Sequence, residues 1–598
     1  MGTPATPATP ATPAAARATR PLDGLRLETA GPPGPADRLV TEHLRLLGAE
    51  GGGDPGGRIT VSGPGFPGFT AATAWGSATG RPADPGVTDE ATAQAATGIM
   101  AVHGRRDGSP RGLAADYTAA AAGVLAVQAL LAGLLAQARG GGPRGAEITA
   151  ERAGLLAVSQ YLAAAGAEEG EAAGIAPGGP PFTSADGVVF ELETLDPGAW
   201  AAFWRELAAP EEPIRRGWRP FQFRYATACA PVPEALHAAV RARSWRSVQE
   251  AAGSSGAEVC ALRPLGERAA EYDGAPPWKL TPGGTAPAGR PAPAPPAGAP
   301  LAGLTVLEAG RRIQAPLAAH LLGLLGAEVI RIEPPGGDPL RGMPPACGGI
   351  SARWLALNRG KRAVEVDIKS AAGRVRLREL AAGADVFLHN WAPGKAAALG
   401  LDHEDLAAAN PALVYAYTSG WAGRLPGAPM GTDFMVQART GVGEAVRPAD
   451  EPPAPSLMTL LDVLGGLLGA EAVLAGLLLR QRTGTGARVD SSLLGAADLL
   501  TAPARARAAA GRAPRRPAGF RRPLRTADGW ITPADHCHVP VGARNLSAVP
   551  TAPALERLRG HGLTAVPVVT DLTDLITAGP VTRDAHGAPA VPAPWSFT

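Results

Sequence analysis

Along its second half the chain alternates short apolar runs with stretches of helical periodicity. Residues 304–308 form an apolar strand pattern, 315–326 place apolar side chains at helical spacing, and 328–333 return to a strand. The alternation continues with strands predicted over 363–368, 385–388 and 413–417 and a helix over 370–382. Such strand–helix alternation predicts a parallel sheet, with ligands expected beyond the carboxyl ends of its strands. Two further stretches are apolar almost throughout. Residues 118–138 carry no charge and are rich in Ala, whereas 457–479 hold Asp462 and Glu471 within a more apolar run. Both are read as buried helices of a soluble core; acidic residues in one and modest apolarity in the other weigh against membrane spans.

The pattern occurs twice. LDGLRLE at 22–28 is echoed by LAGLTVLE at 301–308, and LGAE at 47–50 by LGAE at 325–328. In the same order, Val61-Ser62-Gly63 matches Thr418-Ser419-Gly420, Gln94 matches Gln437, and AGLL at 132–135 matches AGLL at 475–478. TSADG at 183–187 then matches RTADG at 525–529, and Pro277-Trp278 matches Pro594-Trp595. An ordered series of this kind predicts a tandem duplication. The Pro-rich stretch 281–300 reads as an extended spacer between the copies, and the Thr-Pro-Ala repeats of 1–20 as a disordered tail.

The copies, 21–280 and 301–598, have lost different parts. Copy one omits most of what copy two places between Glu328 and Leu413, a shortening that loops alone do not explain. Copy two in turn runs from Asp528 to Val568 with far fewer residues than copy one uses between Asp186 and Cys260, so the fuller small domain is expected at about 181–280. Complementary losses are tolerable in a fused, intramolecular pseudo-dimer, because only one of two formerly equivalent sites has to stay complete.

Composition narrows the function classes. A chain of 598 residues exceeds one hydrophobic core. With 56 basic against 54 acidic residues there is no net field to hold a polyanion, and nucleic acid is not an expected partner. Four cysteines without paired spacing, and an amino terminus lacking an apolar segment, point to the cytoplasm. His536-Cys537-His538 groups metal-capable side chains, but neighbours on an extended segment point apart and no metal site is expected.

Candidate chemistry follows the predicted strand ends. PGGDPLR at 335–341, NRGKR at 358–362 and NWAPG at 390–394 are polar and Gly-containing. Lys361 and Arg362 are suited to phosphates and Arg359 to stacking on a base, the alternative being a solvated basic turn.

Together LAGLTVLEAG, LGAEVIRIEPPGGDPLRG, LNRGKRAVEVDIKS, ADVFLHNWAPGKAAALGL, DFMVQARTG and RQRTGTGARVDSSLL resemble class III CoA-transferases, the CaiB/BaiF family, strongly over 301–500 and more weakly elsewhere. The resemblance implies an α/β fold in which each copy has a Rossmann-like large domain and a small α+β domain, two copies interlocking like chain links. It implies coenzyme A on the large domain of copy two, near Arg341, Asn358, Arg359, Lys361, Arg362, Asn390, Trp391 and Gly394, covered by the small domain of copy one. It also implies Asp462 as the nucleophile, attacking an acyl-CoA thioester and becoming an aspartyl-CoA thioester. A helix N-terminus would favour the ionised carboxylate, and Gly465-Gly466 would let amides approach an oxyanion. An ordinary N-cap is the plainer role for Asp462, and the two are compatible. In copy one an ungapped match puts Ala119 opposite Asp462, so Asp116 reads as a relic cap.

The departures from the family pattern also bear on chemistry. Thr432 stands where racemases of the family carry a histidine, which disfavours two-base racemisation. Gln314 lies one residue from the position of an active-site Gln. Pro334 and Ala398 stand where relatives carry arginines, and Leu461 replaces the Gly before the nucleophile. The expected function is transfer of CoA between an acyl-CoA and a small carboxylic acid. Isomerase, lyase or dehydratase chemistry on the same fold, or a catalytically silent binding or scaffold protein, are the alternatives, and further self-association stays open.

Overall fold

The structure is a computed structural model that describes residues 19–76, 86–171, 173–285, 294–539 and 545–598. Most of the expected tail, and residues 286–293 of the expected spacer, lie outside the described residues.

Copy one builds a sheet from β1 (Arg26–Ala30), β2 (Glu50–Gly51), β3 (Arg58–Gly63), β4 (Phe66–Ala74) and β5 (Gly145–Thr149). Between β4 and β5 run α1 (Glu90–Ala96) and the long helix α2 (Tyr117–Ala138). Its small domain has β6 (Phe182–Thr183), β7 (Val189–Glu193), α3 (Pro197–Glu206), α4 (Glu211–Thr227), α5 (Glu234–Arg241), α6 (Trp245–Ser255) and β8 (Glu258–Ala261), and β9 (Trp278–Thr285) follows. Copy two contributes β10 (Thr305–Ala309), α7 (Gln314–Leu324), β11 (Glu328–Glu333), α8 (Ala352–Asn358), β12 (Arg362–Glu365), α9 (Ala371–Ala382), β13 (Val386–His389) and β14 (Val414–Ser419). It continues with α10 (Asp433–Arg439), α11 (Leu460–Thr483), β15 (Thr485–Ser492) and α12 (Leu493–Ala509). Last come β16 (Leu524–Arg525), β17 (Trp530–Pro533), α13 (Thr551–Gly560), β18 (Ala565–Pro567) and β19 (Trp595–Phe597).

The copy-two sheet has the order β12-β11-β10-β13-β14-β15-β9, parallel except for β9. The copy-one sheet has the order β2-β1-β3-β4-β5-β19. Each copy thus sends its last strand to the other's sheet: Trp278 of β9 pairs with Ser491, and Trp595 of β19 with Ile148. The exchange covers β15 and β5 with a strand from the other copy and links the halves topologically. Because β9 continues to Thr285, the first five residues of the expected spacer, 281–285, are strand.

The hairpin of β3 and β4 explains how copy one closes its sheet without a nucleotide lobe. Antiparallel β3 lies between β1 and β4, where parallel β13 lies between β10 and β14 in copy two. The matching of Val61–Gly63 to Thr418–Gly420 is therefore displaced. Ala74 pairs with Thr149 as Ser419 pairs with Ser492, so β4, not β3, corresponds to β14.

Helices α2 and α11 pack on each other between the two sheets. Both are long and apolar enough to cross a membrane, yet 100% and 94% of their most apolar windows are buried inside the fold, so their apolar surface is already covered. Gly484, with φ +74°, ends α11 in the left-handed conformation that suits a glycine. In the small domain of copy two, α13 is the helix between β17 and β18 among the described residues, where copy one places α3, α4, α5 and α6 between β7 and β8.

Candidate active site

Asp433, at the start of α10, and Gln437 one turn later organise the head of α11. Gln437 donates to Asp433 (2.5 Å) and to Ser456 O (3.0 Å) and accepts from Ser456 N (2.9 Å), while Asp433 Oδ2 accepts from Asp462 N (2.7 Å). Copy one repeats this device. Gln94 bonds Glu90 and Leu113 N, and Glu90 accepts from Ala119 N (2.9 Å). Since Ala119 N and Asp462 N make the same bond, the two copies align here without a gap, and copy one has alanine at the carboxylate position.

Asp462 is the third residue of α11; its N-cap is Thr459. The N-cap role considered for Asp462 is therefore corrected, because Asp433, from another helix, takes the amide that a cap would take. Asp116 does occupy an N-cap position, but its side chain caps nothing. It is held by Arg521 (2.6 Å) and Arg516 (3.2 Å).

The Asp462 side chain is half-buried and lines a cleft of about 700 Å³. Copy two forms one wall with Arg312, Trp354 and Trp391, and copy one the other with Gln160, Gln222 and Tyr225. Gln222 and Tyr225 belong to α4 of the small domain, but Gln160 precedes the expected 181–280 cover. Among the described residues no hydrogen-bond donor reaches the Asp462 carboxylate. Burial lifts its pKa to about 7, with the Arg312 charge opposing the rise and the Glu193 charge adding to it. Asp433 is pushed well above the carboxylate range, by burial first and then by the Asp462 charge.

Beside Asp462, fully buried Glu193 ends β7. It accepts from Arg224 (2.9 Å), from Tyr225 and from Thr432 Oγ1 (2.8 Å). Thr432 is thus engaged by copy one and lies outside the cleft lining.

Gln314 opens α7, is 5% exposed and does not line the cleft. It explains Gly465-Gly466 instead. A Cβ on Gly465 would lie 2.8 Å from Gln314 Nε2, and one on Gly466 2.9 Å from Gln314 O. The glycine pair lets α7 cross α11 closely; its amides lie within α11, which corrects the oxyanion expectation.

Of the residues expected around coenzyme A, Asn358 and Trp391 line the cleft, and the others do not. Lys361 turns inward, its Nζ donating to Glu308 Oε2 (2.9 Å), Pro316 O (2.8 Å) and Asn358 Oδ1 (2.9 Å). Burial brings its pKa down to about 8 against the pull of Glu308. Arg362 is exposed and pairs with Glu328 across the strands (2.9 Å). Arg359 donates to Val591 O (3.3 Å), and Arg341 pairs with Glu333 (2.8 Å) while stacking 3.8 Å over Trp354. Asn390 brackets Arg311 through its backbone N and O (2.8 and 2.9 Å), and Gly394 is the left-handed N-cap of the turn that brings Lys395 to the cleft. Sequence reasoning missed Arg312, Lys369, Lys395, Glu193 and Tyr225. The strand-end rule pointed to Arg312, which follows β10 directly; no local pattern marks Glu193 or Tyr225.

A half-buried carboxylate of raised pKa, beside a cation in a cleft wide enough for an extended ligand, suits covalent chemistry on a carbonyl. Comparison with known proteins finds the following likenesses. Succinyl-CoA:glutarate CoA-transferase of Mus musculus is 36% identical over 209 residues, 34% of this chain and 48% of that protein. Acetyl-CoA:oxalate CoA-transferase of Acetobacter aceti is 36% identical over 194 residues, 32% of this chain and 50% of that protein. The chain thus spans about half the length of the curated relatives it matches. A CAIB/BAIF family protein from Brucella suis, of known structure, aligns with 27% identity and a TM-score of 0.44 over 50% of this chain and 93% of that one. A family model described as CoA-transferase family III matches residues 69–272 and again 301–556, most of both copies, and this chain, a tandem of the two, belongs to that family.

Proposed function

We propose that the protein transfers CoA between an acyl-CoA and a carboxylic acid through an aspartyl-CoA thioester on Asp462. The observation that carries this reading is the Asp462 carboxylate, free of hydrogen-bond donors among the described residues and facing a cleft walled by both copies. Its oxygen attacks the donor thioester to form a mixed anhydride and release CoA thiolate, which then attacks the aspartyl carbonyl and frees the donor acid. An acceptor carboxylate reverses the two steps and leaves as the new acyl-CoA. Lys369 and Lys395, both lining the cleft, offer charge for the CoA phosphates. The relatives named for CoA transfer between acids support the reaction class. The four cysteines, unpaired and three of them buried, suit a cytoplasmic location.

Incubation with a panel of acyl-CoAs, quenching and peptide mass mapping tests the reading. A CoA adduct on Asp462, removed by hydroxylamine, is the expected result; no adduct with any donor would sink it. Because the nucleophile has to be ionised, kcat/KM for the donor should fall tenfold per pH unit below about 7 and level off above it.

Lys361→Met should cost about 2–3 kcal/mol, since it strips a counter-charge from buried Glu308. The KM for the acyl-CoA should stay within about twofold. A rise of tenfold or more in KM at unchanged stability would return Lys361 to the CoA site.

A further inference from the structure

We propose that Arg312 binds the carboxylate of the incoming acceptor acid in the second half-reaction, an assignment that rests on the aspartyl-CoA reading above. Arg312 lies on the turn between β10 and α7 and is exposed in the cleft wall. Its φ of +63° is unusual for a residue other than glycine, so the turn is held in a conformation costing about 1 kcal/mol or more. That backbone carries a side chain without a hydrogen-bond or salt-bridge partner among the described residues; its nearest described contact is the Tyr225 ring, 5.7 Å from centroid to Cζ. Arg311, exposed in the same wall, is bracketed by Asn390 only through its backbone, but of the two neighbours it is the Arg312 charge that acts on Asp462. The two remaining arginines of the wall are committed. Arg331 is paired with Glu308 and Asp338, and Arg353 with Glu171 (2.5 Å).

What faces Arg312 changes during the reaction. In the free enzyme its charge acts on the Asp462 carboxylate. Once Asp462 carries CoA as a thioester, that negative charge is gone. Glu193 is no substitute, because Arg224, Tyr225 and Thr432 already occupy its carboxylate. A guanidinium is then left beside the reactive carbonyl without a counter-ion, at the stage when a carboxylate has to enter. A planar fork of N–H donors matches a carboxylate and holds one oxygen for attack. The acceptor oxygen attacks the aspartyl carbonyl and CoA thiolate leaves. The thiolate then attacks the acceptor's carbonyl in the mixed anhydride, restoring the Asp462 carboxylate and with it the partner of Arg312. On this view the acceptor has to be anionic, whereas a neutral nucleophile has no need of Arg312.

The test compares wild type, Arg312→Gln and Arg312→Lys. Acetyl-CoA and succinyl-CoA serve as donors, acetate, succinate and glutarate as acceptors, and the pair that wild type turns over fastest is used throughout. In Arg312→Gln the acceptor KM should rise at least about tenfold, with Arg312→Lys intermediate. With adduct formation measured at about pH 9, on the plateau where Asp462 is ionised with or without the Arg312 charge, its rate and the release of the adduct by hydroxylamine should stay within about threefold in both variants. An unchanged acceptor KM overturns the assignment. So does an equal loss of adduct formation, hydroxylamine release and acceptor turnover, which would make Arg312 a general support of the site. Melting temperature and circular dichroism show whether Arg312→Gln is folded, and Arg312→Lys carries the same comparison if it is not. Absence of the adduct in wild type overturns the aspartyl-CoA reading, and this assignment with it.

Discussion

Asp462→Asn is expected to lower CoA transfer by on the order of a thousandfold or more, because an amide cannot form the covalent intermediate. The same variant should be more stable than wild type at pH 8. The folded state raises the Asp462 pKa to about 7, so it favours the neutral form. For an acid shifted in this direction, the stabilisation is fully present below the unfolded pKa of about 4 and is lost as pH rises through about 7. At pH 8 wild type therefore holds a carboxylate whose surroundings disfavour its charge, and the neutral amide escapes that cost. Partial exposure and the Arg312 charge limit the gain to about 1 kcal/mol. Urea unfolding of both proteins at pH 4 and pH 8 checks this. The curves should converge at the lower pH and separate at the higher, with the variant the more resistant. A variant that is inactive and less stable at pH 8 would make Asp462 a structural residue.

Arg224→Met should cost about 3–5 kcal/mol, the largest stability effect expected near the site. Arg224 is 1% exposed, donates to Glu193 and to Phe221 O (2.8 Å), and lies 3.7 Å above the Phe221 ring. Methionine keeps much of the packing but leaves Glu193 buried without its cation. Hydrogen exchange should speed up in β7 and α4 before it does in the copy-two sheet, because the damage is confined to the small domain. The double variant Glu193→Gln/Arg224→Met should regain all but about 2 kcal/mol, since a neutral amide needs no counter-charge while still accepting from Thr432 and Tyr225. If the double variant is no more stable than Arg224→Met alone, the pair's charge is not what matters there.

Family and fold class were legible in the chain because their marks are local. A strand is written in alternation over a few residues, a helix in spacing over a dozen, and a duplication in ordered repetition of short segments. The ungapped match of copies that put Ala119 opposite Asp462 worked for a related reason: Gln94 and Gln437 each pin the same loop to the same helix start. Three-residue similarity misled where it stood alone. Val61–Gly63 matched Thr418–Gly420 by small side chains, yet a hairpin had replaced the parallel strand and moved the true counterpart to β4.

The site was less legible, for a physical reason that its residues share. Lys361 and Arg362 are neighbours in a basic run, but one end of the run faces Glu308 and the other Glu328, each on a different strand. Whether a lysine meets a phosphate or a buried glutamate depends on strand register, which no run of five residues contains. Gly465-Gly466 looked like an opening for an oxyanion because the helix that fills it, α7, lies far earlier in the chain.

By itself, the sequence determined the repeated architecture, the parallel lobe in copy two and the presence of a carboxylate at the head of a long apolar helix, since each follows from the identity and spacing of near neighbours. Tertiary structure alone decided that β9 and β19 change places between the sheets, that Glu193 and Tyr225 of one copy flank Asp462 of the other, and that Arg312 faces the cleft without an ion-pair partner among the described residues. Those are relations between segments hundreds of residues apart, set by which surfaces two halves bury against each other.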